Sequence, residues 1–249
     1  MTPFDPPPQD LEPAPEPVPP RPNDPFWSYQ DFFFFLALCF PALIISVGII
    51  RGIALMIPMG KPFQSLLAQL LWYGLVFSAL YALLRMRYRR PFWRSLGWKY
   101  PVRGAAASIF AGPVLAISLG MLGYFLRTPE TPQTFQQMFQ DRPTIIFFGI
   151  FVLILGPLCE ELAFRGFLMP LLVRSLGAAS GIIATGLMFG LLHAPEYEWH
   201  WQQVVLIATA GSVFGWVRYK TGSLAPAVFM HSTYNLTQFL AFILQSRTI

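Results

Sequence analysis

The sequence predicts an all-α, polytopic transmembrane helical bundle of about seven spans (six to eight), preceded by a disordered proline-rich tail. Three observations carry this. Of 249 residues, 55% are hydrophobic and only 12% are charged, where an ordinary soluble domain is about 25% charged. Mean hydropathy is +0.51, and 24 Phe and 7 Trp present more apolar surface than a soluble fold of this size can hide. The apolar residues gather in seven runs, and the length suits six to eight spans of about 20 residues. Together these exclude a cytosolic enzyme, a secreted disulfide scaffold and a disordered chain.

Residues 1–30 carry five acids and one base, and residues 1–26 contain eleven prolines. With so little to bury, this segment reads as a disordered cytoplasmic tail; the alternative is a docking site for a proline-recognition module. Residues 31–143 form the N-terminal transmembrane helices, over the runs 32–58, 65–84 and 104–126. Residues 144–249 hold four more spans: 144–158 with an extension to about Arg174, then 178–193, 204–217 and 225–244. Pro170 kinks the extended helix. The pairs Gly177/Gly181, Gly186/Gly190 and Gly211/Gly215 have GxxxG spacing and favour close helix packing, within or between chains, so the oligomeric state stays open. Cys39 and Cys159 lie in apolar runs and suggest neither a disulfide framework nor a zinc cluster. No cleavable signal peptide is expected, because the N-terminus lacks a basic n-region.

The net charge of +5 reads as topology information rather than as nucleic-acid binding. The loop 85–103 holds seven bases and no acid, so it is expected in the cytoplasm. Counting spans from it puts the N-terminus inside, with Arg165–Arg174, Arg218 and Lys220. Residues 195–203, with two acids and no base, fall outside, as does the C-terminus. The stretch 94–102, with its Trp, is expected to lie on the inner interface.

Ionisable residues inside spans are expensive, at about 2.5–3.5 kcal/mol each at mid-helix, and are candidates for function. Glu160 and Glu161 end an apolar run; Glu161 and Arg165 are spaced to pair on one helix face. Glu160 points elsewhere, and a carboxylate without a partner in a low-dielectric site can serve as a base. The bland reading puts both glutamates at the membrane edge. His193 ends an apolar helix, where it is either a cap or a site residue. His231 and Asn235 share a face of the last span, where they either glue helices together or donate to an oxyanion. Glu160 and His193 each lie 16 residues from a turn near Leu176–Gly177, which gives both a depth of about 24 Å. His231 lies about 13 Å from Gly222, so tilt or a deeper turn must supply the difference.

At these residues the chain resembles the CPBP intramembrane proteases, the CAAX prenyl protease and bacteriocin-processing (Abi) family. Glu160-Glu161-x-x-x-Arg165, Phe189-x-x-x-His193 and His231-x-x-x-Asn235 are similar to its three ordered motifs, over roughly residues 144–244. The resemblance implies an intramembrane endopeptidase acting on a membrane-associated or lipidated (CAAX-like) substrate in the lipid bilayer. Glu160 and His193 would activate a water, His231 and Asn235 would stabilise the oxyanion, and Glu161 and Arg165 would support Glu160. The family is also described as metalloproteases, which makes Glu160, His193 and His231 candidate zinc ligands. The two histidines sit on different helices, however, and no HExxH is present, so a tightly bound ion is not expected. A cell membrane, a bacterial inner membrane, is the implied location.

Three rival readings stand beside this one. A non-catalytic scaffold or bacteriocin self-immunity protein would keep the polar core as a binding site. A transporter would use Glu160 and His193 as a proton relay, but the sequence lacks the paired broken half-repeats of such proteins. A cysteine protease built on Cys159 is disfavoured by the two neighbouring acids, which oppose the thiolate.

Overall fold

A computed structural model describes residues 25–100, 104–129 and 142–246, and among these the regular structure is all helical. Of the expected disordered tail, residues 1–24 lie outside the described residues, while 25–30 are ordered, because Trp27 is buried and α1 already begins at Tyr29. The helices are α1 (Tyr29–Met56), α2 (Lys61–Ala82, running on as a wide π-turn to Arg87), the short α3 (Phe92–Ser95) and α4 (Ala105–Phe125). They continue with α5 (Arg142–Leu176), α6 (Ala178–His193), α7 (Trp201–Thr221) and α8 (Leu224–Ser246). Each of the seven apolar runs is thus a long helix. Five helices among the described residues, α1, α2, α4, α5 and α6, are long and apolar enough to cross a membrane. α7 and α8 have the length, but Gln, Arg and Lys in one and His, Asn and Gln in the other lower their apolarity. The protein is a membrane protein with at least these five candidate spans. Outward-facing Phe33, Phe34, Phe40, Ile44 and Phe110 are exposed, as lipid-facing side chains are.

α5 is one long helix broken by two wide turns, and its prolines explain both. Residues Phe151–Leu155 and Leu162–Leu168 are π-helical. In the first turn the Gly156 N–H bonds the Phe151 carbonyl, and in the second the Met169 N–H bonds that of Phe164, each five residues back. The next donor in that register would be Pro157 or Pro170, neither of which has an N–H. The expected discontinuity at Pro170 is therefore a wide turn that ends just before it. Pro157 causes a second one that the sequence reading did not include.

Sharp connections then stack α5, α6, α7 and α8. Gly177 links α5 to α6 at φ +82, a conformation that favours glycine. Gly186 and Gly190 seat α6 on α7, where an added Cβ would meet the Ala208 carbonyl at 2.7 Å and that of Val204 at 2.5 Å. This is the close approach that the GxxxG spacing implies; Gly177 of the first pair serves a turn instead.

One end of the bundle collects the bases. There Asp31, 1% exposed, caps α1 through Ser28 and pairs with Arg87 at 3.2 Å and the Tyr88 hydroxyl at 2.6 Å. The Trp27 indole donates to the Phe167 carbonyl at 3.0 Å, and the Tyr29 hydroxyl to that of Leu171 at 3.0 Å. An apolar core containing Trp27, Leu80, Leu84, Leu96, Phe167 and Leu224 fills this end. The Leu224 N–H bonds the Gly97 carbonyl at 2.9 Å, while Leu96 packs on Gly166. The turn into α8 therefore lies at the level of Gly166, about 15 Å short of the Gly177 turn. A deeper turn supplies the difference in depth between His231 and Glu160.

Candidate active site

The two glutamates of α5 face different surroundings. Glu161 and Arg165 are both fully buried and pair at 2.9 Å, the i, i+4 pair that the spacing implies. The second arm of the guanidinium donates to the Gly211 carbonyl of α7 at 2.7 Å. Its face lies over Phe189, 4.5 Å from the ring centre, a further favourable contact for a cation out of water. A Cβ on Gly211 would come within 2.9 Å of that arm, so the glycine makes room for the contact. The same Glu161 oxygen that binds Arg165 accepts a hydrogen bond from His231 Nδ1 at 3.0 Å. His231 is 4% exposed and stacks on Phe214 at 4.6 Å. Its Nε2 then faces Glu160, 3.7 Å from Oε2. Arg165, Glu161, His231 and Glu160 thus form one continuous polar chain. The edge-of-membrane reading fails for Glu161, which is buried. Glu160, with about 22% of its side chain exposed, is its more open member.

The other two motif residues stand at the margin of this chain. His193 Nδ1 lies 2.8 Å from the Phe189 carbonyl. A carbonyl can only accept, so Nδ1 carries a hydrogen, and in the neutral ring Nε2 is the acceptor. Phe189 touches both histidines, with ring centres 4.4 Å from His193 and 5.9 Å from His231. No ion-pair contact joins His193 to Glu160. Asn235 donates to the Val152 carbonyl at 2.8 Å. That carbonyl is the one left without a helical donor, because Gly156 bonds Phe151 and Pro157 has no N–H. Asn235 therefore closes the first wide turn of α5, one helical turn or two before Glu160, and keeps its second N–H.

Among the described residues, no three His, Cys, Asp or Glu side chains are gathered as a metal-binding group. The candidate zinc ligands Glu160, His193 and His231 do not form such a set in this arrangement, which supports no step through a metal.

Three groups that the sequence reading missed lie near Glu160. The Tyr73 hydroxyl of α2 is 3.5 Å from Glu160 Oε1, and Gln69, one helical turn away, is a polar neighbour of Tyr73. A polar pair at i, i+4 in an otherwise apolar span was the available signal. Glu196, in the short turn Ala194–Tyr197 after α6, lies within electrostatic reach of both His193 and Glu160; its acid was read only as a loop charge. Beside Tyr73 and Cys159, an apolar cavity of about 480 Å³ opens between α2, α3 and α5, lined also by Phe77, Trp93 and Leu162.

Neither a curated protein nor a solved structure gives a significant match to the chain. A family model described as Type II CAAX prenyl endopeptidase Rce1-like matches residues 142–237. This stretch runs from the start of α5 into α8 and contains all three motifs with the polar chain they build. Residues 142–237 thus match an Rce1-like CAAX protease family model, consistent with the resemblance to the CPBP proteases.

Proposed function

We propose that the protein is an intramembrane endopeptidase that hydrolyses a peptide bond of a membrane-associated or lipidated, CAAX-like substrate, using a water activated by Glu160 and His193. The observation that carries this reading is the polar chain Arg165–Glu161–His231–Glu160, three of its members buried and the fourth open. Burying such a chain in a membrane helix core is expensive unless it has a use.

Each member has a task. Arg165 neutralises Glu161, and Glu161 holds His231 by Nδ1, so that Nε2 is turned towards Glu160. Glu160 takes a proton from the water, whose oxygen attacks the scissile carbonyl carbon; His193 Nε2 orients that water by its lone pair. The carbonyl oxygen becomes an oxyanion. His231, when it has taken a second proton from solvent before the step and keeps it throughout, donates from Nε2 towards the oxyanion, and the spare N–H of Asn235 is a further donor. Collapse of the tetrahedral intermediate breaks the C–N bond, and the proton held by Glu160 passes to the leaving amine. The apolar cavity beside Tyr73 and Cys159 suits a substrate that arrives with apolar surface, and the basic end suits the cytoplasmic side of a cell membrane.

The test is to incubate purified wild type and Glu160→Ala in detergent with membrane-anchored and lipidated peptides, with and without a chelator, and to read products by mass spectrometry. Cleavage by wild type alone is expected. Equal cleavage by Glu160→Ala removes Glu160 from the mechanism. If neither protein cuts any peptide, the reading falls to a non-catalytic scaffold or self-immunity protein.

A further inference from the structure

We propose that Tyr73, braced by Gln69, holds Glu160 in its working orientation, so that a reaction centre built by residues 142–237 takes an orienting bond from α2, outside that domain. This rests on the proposed protease function and adds a positioning residue to it.

The ring of Tyr73 is packed as a phenylalanine would be. It stacks on Phe151 at 5.6 Å with 10° between the planes, on Trp72 at 5.3 Å, and edge-on to Phe77 at 6.2 Å. None of these contacts uses the hydroxyl. A phenol oxygen at the wall of an apolar cavity is costly without partners, and its partners here are Glu160 and Gln69. Gln69 lies one helical turn before Tyr73 and is a polar neighbour of its hydroxyl. The carboxylate has two oxygens: Oε2 faces His231 Nε2 at 3.7 Å, and Oε1 faces the Tyr73 hydroxyl at 3.5 Å. Two contacts, one from α8 and one from α2, each reach a different oxygen of the carboxylate. Both are long, as catalytic hydrogen bonds often are before substrate binds. Phe151, against which Tyr73 stacks, opens the wide turn that Asn235 closes at Val152. The α2 contact and the third motif therefore grip the same turn of α5 from two sides.

The experiment compares wild type, Tyr73→Phe, Gln69→Leu and Glu160→Ala on an internally quenched, farnesylated CAAX-type peptide in detergent micelles, with thermal unfolding of each protein. Tyr73→Phe keeps the stack and loses only the hydroxyl. The expected result is a three- to tenfold fall in kcat with KM within twofold of wild type and an unchanged unfolding midpoint. Gln69→Leu should give a smaller fall of the same kind. A kcat for Tyr73→Phe equal to wild type overturns the inference and leaves the protease reading standing. A rise in KM alone also overturns it, by making Tyr73 a wall for substrate. Should Tyr73→Phe fail to fold, Gln69→Leu decides by the same criterion. If wild type does not cut the peptide in this or the wider panel, the protease reading fails and the inference with it.

Discussion

Replacing Gly112 by alanine adds one methyl group to α4, outside the matched domain, and should disable the site. α4 lies against α8 where α8 carries His231. A Cβ at Gly112 would stand 2.5 Å from the Met230 carbonyl oxygen and 2.8 Å from the Tyr234 nitrogen, and would also strike the Thr233 hydroxyl. The hydroxyl can rotate away, but the α8 backbone cannot. Ordinary contact begins near 3.4 Å, so the helices must part by about 0.6–0.9 Å. His231 follows Met230 directly, and its bond to Glu161 is 3.0 Å. A shift of that size along the bond would take it to nearly 4 Å, beyond hydrogen bonding. Misplacement by 1 Å costs about 10²-fold in rate, and overpacking costs about 1–3 kcal/mol of stability. Gly120, on the same helix, has nothing within 4 Å of an added Cβ. Gly120→Ala should be neutral or stabilising by up to about 1 kcal/mol. The assay is peptide cleavage by both purified variants beside their unfolding midpoints. A Gly112→Ala protein with wild-type rate and stability, or equal losses in both variants, refutes the reasoning.

Arg165→Ala leaves Glu161 charged and buried without its partner, and should lower stability by about 3–5 kcal/mol. The double variant Glu161→Gln, Arg165→Met should lose less than Arg165→Ala alone, as measured by denaturation in detergent. Asn235→Leu strands the Val152 carbonyl and should destabilise by about 1–3 kcal/mol. It should also slow cleavage, and faster amide exchange between Phe151 and Glu160 would mark the loosened turn.

The helices and their order were legible because apolar runs in a membrane protein leave little else to fold into. The Glu161–Arg165 pair was legible from i, i+4 spacing. The His231–Glu161 bond was not, because it joins residues 70 apart and depends on where the α8 turn hangs. That level is set by Gly97, which the sequence places in a basic loop and in an interfacial stretch with no hint of its bond to Leu224. Asn235 was legible as sharing a face of the last span with His231, while its bond to Val152 follows from Pro157, whose missing N–H acts five residues earlier in the chain. Tyr73 was hidden because a tyrosine in an apolar run looks like packing until its hydroxyl has a neighbour. The seven-span count weakens at α7 and α8 for a related reason: the helices that build the site carry the polar groups that lower their apolarity.

Trp27 has a consequence for how the protein is made. Its acceptor, the Phe167 carbonyl, comes 140 residues later, and the Leu171 carbonyl that receives Tyr29 comes 142 residues later. At about 5–20 residues per second of synthesis, the start of the chain waits about 7–28 s for its seat. The first span can enter the membrane well before the segment ahead of it has anywhere to dock. A fusion or deletion that alters Pro25–Ser28 should therefore spare insertion of the nascent chain and strike only the closing of the finished bundle.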